Sequence, residues 1–276
     1  VFHFKDKKLI QIASKEYPNS ILNDEANDDY ALVYRTEPYQ LSSQWTGQFS
    51  KNDLAIVNVN NGVLKSAIKA SPSPASLSPN GEYAFGYNQV DSTWYTYNIK
   101  TSKYTELTNG KMFYNELSDY PNHPRSYGAT GWTKNDKSVL IYDRYDIWEF
   151  NPETGSNKQL TKGREDQISY RYVTSEDLPF LIEVEESSNP HPWTKGNFKD
   201  CLERNHYCLL QLYNDKPTGF AIQSIALDEA HLLNIGISEE YRRIGLGGDL
   251  LDQILFASKA MGCLRIILEV RKSNIG

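Results

Sequence analysis

Two patterns of hydrophobic and polar residues divide this chain near Gly163. Before that residue, short apolar runs are separated by clusters of turn-forming residues and show almost no helical period, which predicts an all-β segment. After it, helical patterns alternate with apolar strands, as is typical of an α/β or α+β domain. We therefore predict a multi-domain chain with a boundary between 1–163 and 164–276.

The first segment contains an internal repeat with a period of about 50 to 55 residues. One copy begins at Ser78 and another at Thr133. Each passes from a turn into a strand, continues to a second aromatic strand, and closes on a Leu-Thr pair. A fainter copy precedes them, with strands at Tyr30–Tyr34 and Leu54–Val59. Repeats of this length that are built from short strands are typical of propeller blades.

The phrases "LSPNGEYAFGY" and "WEFNPETGSNKQLT" resemble the β-propeller of prolyl-oligopeptidase-like serine peptidases. About three blades are visible, whereas a closed propeller has about four to eight, so we expect a partial propeller. The sequence has no G-x-S-x-G motif, so the resemblance implies no peptidase activity for this chain.

The second segment predicts two helices followed by a meander of antiparallel strands. Ser175 and the acids after it predict a helix start, and a second helix is expected over Lys195–Arg204. Strands are expected at Tyr207–Tyr213, Thr218–Leu227 and Ala230–Ile237.

A glycine-rich loop lies between the last of these strands and a helical pattern. It carries Gly245, Gly247 and Gly248 and continues into an apolar helix that includes Leu250 and Ile254. Backbone N–H groups at a helix N-terminus favour a pyrophosphate, and glycine lets such a ligand approach closely. The alternative reading is a glycine turn that only caps the helix.

The pattern R-x-x-G-x-G, carried by Arg242, Gly245 and Gly247, resembles the acetyl-CoA loop of GNAT N-acetyltransferases. The segments "HPWTKGNF", "LDEAHLLNIGISEEYRRIGLGGDLL" and "LRIILEVRKSN" resemble the ribosomal-protein-alanine N-acetyltransferase branch of that family. The resemblance implies an α/β (α+β) acyltransferase fold, with acetyl-CoA as co-substrate and a protein N-terminal α-amine as acceptor. It implies cofactor contacts from Ile235, Gly236, Ile237, Arg242, Arg243, Ile244, Gly245, Leu246, Gly247, Gly248 and Asn274.

The resemblance also implies direct attack of an amine on the thioester, without an acyl-enzyme. Glu269 falls where this branch keeps its general base, although the same residue also fits a solvated acid at a strand end. Backbone amides at Ile235–Ile237 would hold the acetyl and pantetheine groups. Trp193 is expected to line the peptide entrance, or else to be a core aromatic residue.

The family pattern continues past "SN" into a helix that carries a tyrosine general acid, and then into two closing strands. This sequence stops at Gly276, so we expect an incomplete GNAT fold without that acid. The start at Val1, without an initiator Met, suggests the middle of a longer chain.

The amino-acid composition disfavours some classes of binding partner. A formal charge of -6 disfavours binding to a nucleic-acid backbone. No apolar run is long enough to cross a bilayer, and three cysteines without a C-x-x-C pair favour a reducing, cytoplasmic compartment. We expect no metal, and a protein or peptide acceptor such as a ribosomal protein. Two alternatives stay open: a non-catalytic peptide-binding module of propeller type, and two fused gene fragments.

Overall fold

The structure, a computed structural model, describes residues 1–23, 29–46, 51–71 and 75–269. Two compact units can be distinguished. The first comprises Val1–Asp143 and Glu149–Asn157, and the second comprises Arg144–Trp148 and Lys158–Gly276. The domain boundary that the sequence predicts at residue 163 stays a prediction.

The sheet-rich character predicted for the N-terminal part is confirmed. A short hairpin comes first and is followed by three four-stranded sheets, each formed by consecutive strands that neighbour one another in chain order. All the pairings of the first two four-stranded sheets are antiparallel. The strands are β1 (Phe2–His3), β2 (Lys8–Leu9), β3 (Asn19–Ile21), β4 (Tyr30–Arg35), β5 (Asn52–Asn58), β6 (Leu64–Ser71), β7 (Ala75–Leu77), β8 (Tyr83–Asn88), β9 (Thr93–Asn98), β10 (Tyr104–Glu106), β11 (Ala129–Trp132), β12 (Val139–Tyr142), β13 (Ile147–Phe150) and β14 (Asn157–Gln159).

Hydrogen bonds recur at equivalent positions of the predicted repeat. The amide of Trp94 donates to Thr108 Oγ1 at 2.9 Å, and the amide of Ile147 donates to Thr161 Oγ1 at 3.0 Å. Each Leu-Thr pair therefore closes its sheet in the same way. The turns recur too, because Asn58, Asn98 and Asn151 each accept backbone N–H bonds on the side-chain oxygen from residues that follow.

One helix in this part was not predicted. It is α1 (Glu37–Thr46), which begins next to Pro38, a residue well suited to a first helical turn. Its apolar residues Leu41 and Trp45 are 73% and 88% exposed. The sequence therefore lacked the buried stripe by which an amphipathic helix is recognised.

The second unit contains a five-stranded sheet with helices on both faces. Four strands are antiparallel neighbours in chain order, of which the second to the fourth are the predicted meander and the first was not predicted. The last strand pairs in parallel with the fourth. Predicted element bounds agree with the structure to within a few residues. The elements are β15 (Ile168–Tyr172), α2 (Leu178–Ser188), α3 (Lys195–Glu203), β16 (Tyr207–Tyr213), β17 (Lys216–Ala226), β18 (Glu229–Ile237), α4 (Leu246–Ala260) and β19 (Arg265–Leu268).

Strand alternation separates two cores in this unit. Leu210, Phe220 and Ile222 pack with α2 and α3 in one apolar cluster. Neighbouring residues on the same strands point to the opposite face, where Gln211 donates from Nε2 to the carbonyl of Leu246 at 3.0 Å and so fixes the first residue of α4. This bond anchors the start of α4, and with it the loop before α4, to the sheet.

Candidate functional site

The central feature of the site is the point after Leu232 and Leu268 where the pairing of β18 with β19 ends, which we call the fork. The two strands pair in parallel from Glu229 with Arg265 to Leu232 with Leu268. Beyond Leu232 the register of β18 against β17 shifts, which indicates a bulge. In the described part of the chain, the remainder of β18 pairs with β17 alone. Within the described ranges, the outer edge of β18 after the bulge therefore has no strand partner.

The backbone groups of Ile235 and Ile237 face this free edge, as the hydrogen bond of the next residue, Ser238, shows. Ser238 donates its amide to Thr218 of β17 at 2.9 Å. Because backbone groups alternate along an antiparallel strand, the groups of Gly236 also face β17, while those of Ile235 and Ile237 face outward. Of the three residues expected to contact the acetyl and pantetheine groups, Ile235 and Ile237 have amides that face the fork.

Gly236 has a different role, in packing. A Cβ at Gly236 would lie 2.9 Å from Val184 Cγ1 and 3.1 Å from Phe220 Cε1. The missing side chain lets α2 approach the strand closely beside the fork.

The glycine loop supplies a row of unused amides. Among the described residues, the backbone N–H groups of 243–247 donate to no protein acceptor. The helix bonds begin with Gly248 and Asp249, both of which donate to the carbonyl of Gly245, at 2.9 and 3.1 Å. Consecutive free amides at a helix N-terminus form a binding site for anions.

The loop also has room for a ligand. Gly245 has φ of 100°, a conformation that favours glycine, and a Cβ placed there or on Gly248 would meet no atom of the described residues within 4 Å. Open space next to the free amides leaves room for an anionic ligand. On either side of Gly245 in the chain, Ile244 is 61% exposed, and Leu246, the first residue of α4, is buried.

The two arginines of the loop differ in their contacts. Arg242 donates from Nε to the carbonyl of Ile237 at 3.0 Å and from Nη2 to Ser188 Oγ at 2.6 Å. Its guanidinium therefore ties the loop to β18 and to the end of α2. Arg243 is exposed and has φ of 64°. Arg243 is thus the arginine whose charge is available to a phosphate.

Glu269 directly follows the last paired residue of β19, so it stands at the mouth of the fork. Its side chain is exposed. Asn274, the other predicted contact near the end of the chain, lies outside the described residues.

Trp193 packs on the core. It lies half-buried against the cluster of α2 and α3, with its ring 5.5 Å from that of Phe198. Its amide donates to Glu185 Oε1 at 3.1 Å. The backbone of the loop before α3 is therefore fixed to α2.

Glu185 and Asn234 are the polar residues of this region that the sequence analysis missed. Glu185 lies on the buried face of α2, and Asn234 lies on β18 just past the bulge. A carboxylate within an apolar helical stripe was the available signal.

Two observations limit the chemistry. In the ranges that the structure describes, no three His, Cys, Asp or Glu side chains are grouped so that they could hold a metal ion. No helix in the same ranges has the length and apolar character required to cross a membrane.

Residues 172–276 match the model of the acetyltransferase (GNAT) family. The ribosomal protein bS18-alanine N-acetyltransferase of Escherichia coli strain K12 is 34% identical over 98 residues, which cover 36% of this chain and 66% of that protein. The enzyme of the same name from Haemophilus influenzae is 37% identical over 98 residues, covering 36% of this chain and 67% of that protein. The chain spans about two thirds of the length of these relatives.

A solved structure is also similar. The crystal structure of the ribosomal-protein alanine N-acetyltransferase from Escherichia coli is 31% identical and covers 39% of this chain and 69% of its own, with a TM-score of 0.37.

Proposed function

Because this chain belongs to the GNAT acetyltransferase family through residues 172–276, we propose that it transfers acetyl from acetyl-CoA to the N-terminal α-amine of a protein. The observation that carries the proposal is the fork between β18 and β19 with the free amides of the glycine loop beside it. A free strand edge and an anion site at a helix N-terminus together match the two parts of acetyl-CoA, an amide-bearing arm and a diphosphate.

Different residues bind the diphosphate, bind the pantetheine arm and take up the proton. The amides of 243–247 and the charge of Arg243 hold the diphosphate, while Arg242 keeps the loop against β18. The outward backbone groups of Ile235 and the outward amide of Ile237 pair with the pantetheine arm, while the carbonyl of Ile237 accepts from Arg242. A free amide there also polarises the acetyl carbonyl. Acetyl-CoA supplies an activated acetyl group as a thioester. Glu269 takes the proton of the incoming amine on its carboxylate, directly or through a water. The amine nitrogen bonds to the acetyl carbon, the C–S bond of the thioester breaks, and CoA leaves as its thiolate.

The acceptor is proposed on family grounds. The relatives in Escherichia coli and Haemophilus influenzae carry names that specify alanine of a ribosomal protein. We propose a protein N-terminus with alanine as the first residue, and a ribosomal protein as the leading candidate. Asn274 is retained as a proposed cofactor contact and Trp193 as a residue near the acceptor.

Calorimetric titration of acetyl-CoA into the purified chain tests the proposal, and the chain offers a matched pair of glycines. Gly245 and Gly262 stand at opposite ends of α4, have φ of 100° and 92°, and at both a Cβ would meet nothing within 4 Å in the part of the chain that the structure describes. Alanine at either position carries a similar backbone strain of about 1–2 kcal/mol. We expect Gly245→Ala to weaken binding of acetyl-CoA at least about tenfold, and Gly262→Ala to leave it unchanged, since one residue of αL strain at the loop is worth about that factor. Absent binding, or equal binding by both variants, would refute the proposed site.

For the N-terminal part we propose three blades of a β-propeller related to that of prolyl-oligopeptidase-like peptidases. Three consecutive four-stranded sheets with recurring asparagine turns support this. Such a module binds peptides through its loops, and a non-catalytic peptide-binding chain is the second candidate function. If the turns are equivalent, Asn58→Ala and Asn151→Ala should each lower stability by about 1 kcal/mol. Thermal denaturation that shows a loss in one variant alone would contradict the equivalence.

A further inference from the structure

Glu185 is a buried carboxylate at the C-terminal end of α2. Its side chain is 3% exposed. Oε1 accepts a hydrogen bond from Asn189 Nδ2 at 2.8 Å and another from the amide of Trp193 at 3.1 Å. Oε2 accepts from Asn234 Nδ2 at 3.1 Å. All the donors are neutral N–H groups.

Glu185 has no cationic partner among the described residues. A buried carboxylate is costly to remove from water unless it is paired or well hydrogen-bonded. An apolar residue would fill this position in the core of α2 at lower cost. The feature that an apolar residue could not supply is the set of three bonds, which join α2, the 189–193 loop and β18.

The position of these bonds links two parts of the site. Asn234 is the first residue of β18 past the bulge and directly precedes Ile235, whose amide faces the fork. Trp193 ends the 189–193 loop and is followed by the N-cap of α3, Thr194. Glu185 thus sets the distance between this loop and the strand edge where the acetyl group is proposed to lie.

We propose that Glu185 is a positioning residue for the acceptor: it holds the 189–193 loop against the fork, and this placement sets the affinity for a peptide N-terminus. The inference rests on the proposed acetyl transfer and names the element that recognises the acceptor. The diphosphate contacts proposed for acetyl-CoA lie outside these three bonds, because the glycine loop is held by the hydrogen bonds of Arg242 to Ile237 and of Gln211 to Leu246.

The chemistry of the pair suggests a swap experiment. Glu185→Gln keeps the shape but replaces the carboxylate by a neutral amide, so the bonds from Asn189, Trp193 and Asn234 lose their charged acceptor, and Asn234 has to turn its side-chain amide over to accept from the new Nε2–H. Adding Asn234→Asp returns a carboxylate to the pair, because the new carboxylate accepts from that Nε2–H in a charge-assisted bond without any rotation of an amide. Glu183→Gln, an exposed acid on the same helix, is the matched control.

Hydrogen exchange reads out the loop without any need for activity. In the run Pro190-His191-Pro192-Trp193 only the histidine and the tryptophan carry backbone N–H groups, because proline has none. Exchange measured by mass spectrometry on this segment therefore reports mainly on these two amides. We expect faster exchange in Glu185→Gln, and recovery in the double variant.

Kinetics separates positioning from general damage. The probe is a hexapeptide with a free N-terminal alanine, compared with the same peptide blocked at its N-terminus. In Glu185→Gln we expect KM for the free peptide to rise about tenfold, consistent with loss of a hydrogen bond to a charged group, while KM for acetyl-CoA stays unchanged. The double variant should recover most of this loss, and the control should resemble the unchanged chain.

Three results would overturn the inference: unchanged exchange in Glu185→Gln, faster exchange with an unchanged peptide KM, or an equal rise in both KM values. Failure of the unchanged chain to bind acetyl-CoA in calorimetry is a separate result. It would refute the proposed function itself, and this inference with it, before any variant of Glu185 is made.

Discussion

Leu232 and Leu268 form the last pair of the parallel ladder between β18 and β19. One residue further along, β19 reaches Glu269, and β18 enters the bulge that turns Ile235 and Ile237 to a free edge. The same separation of strands therefore leaves open the strand edge where we propose that the pantetheine arm lies, and puts an acid at its mouth. Glu269, an isolated acid in the sequence, therefore lies next to this open strand edge.

If Glu269 is the general base, Glu269→Gln should slow acetyl transfer by about 10²- to 10⁴-fold, the range of a positioned proton transfer. The affinity for acetyl-CoA should not change, because no diphosphate or pantetheine contact is removed. Initial rates at saturating acetyl-CoA, together with calorimetry, measure the two effects. Glu240→Gln, an exposed acid in the turn before the glycine loop, is the control. A rate loss shared by the control would argue against a specific role.

The two loop arginines should respond differently to substitution. Arg243→Ala removes an exposed charge, so affinity for acetyl-CoA should fall about ten- to hundredfold, as expected for a hydrogen bond to a charged group. Added salt should narrow the difference, because screening weakens exposed charge interactions.

Arg242→Ala instead releases the loop from Ile237 and Ser188. Its loss of affinity should persist at high salt, and the loop amides should exchange faster. Titrations at low and high ionic strength distinguish the variants. Identical salt dependence in both would mean that the assigned roles are wrong.

Packing under the free edge can be tested at Gly219. A Cβ there would overlap the Cδ1 methyl of Ile237 and lie 2.8 Å from the carbonyl oxygen of Gly236. Gly219→Ala should therefore cost about 1–3 kcal/mol in unfolding free energy and weaken acetyl-CoA binding by displacing the edge.

Gly196→Ala is the matched substitution in the same unit. The new Cβ would contact Thr194 Oγ1 at an ordinary 3.5 Å, and alanine in a helix should add up to about 1 kcal/mol. Denaturant titration of both variants should give shifts of opposite sign. A stable Gly219→Ala with normal binding would show that the edge tolerates movement.

The sequence predicted those features of the fold that depend on local patterns. The glycine loop of Gly245–Gly248 was found because a turn, a helix start and a strand end follow one another in the chain. The strands of the meander were found through their apolar alternation, as at Tyr207–Tyr213, where predicted and observed bounds coincide. The repeat was found because recurring turns impose recurring residues, such as Asn98 and Asn151.

Features that depend on distant parts of the chain were not predictable from such patterns. Glu185 and Asn234 are 49 positions apart and meet because α2 packs across β18. Gln211 is bonded to Leu246, 35 positions away. A buried polar residue in a strand or helix looks like a surface residue until its partner is known. The outward direction of the Ile235 amide likewise follows from strand register, which a single sequence does not determine.

The contribution of the paired end of β18 and β19 to folding stability is expected to depend on pH through Glu229. Its carboxylate accepts a hydrogen bond from His231 Nε2 at 2.6 Å and pairs with Arg265 across the first residues of the β18–β19 ladder. The bond from His231 and the charge of Arg265 hold the pKa of Glu229 below its usual value. A carboxylate with a depressed pKa stabilises the folded state above its unfolded pKa, and this contribution is lost as pH falls through the folded value.

Glu229→Gln should therefore lower Tm at pH 7, with a difference from the unchanged chain that shrinks as the solution is acidified below about pH 4, near the usual glutamate pKa. Glu239→Gln, an exposed acid beyond the fork, should show no such convergence. A Tm difference for Glu229→Gln that stays constant from pH 7 into the acid range would mean that the side chain stabilises the ladder by its shape and not by its charge.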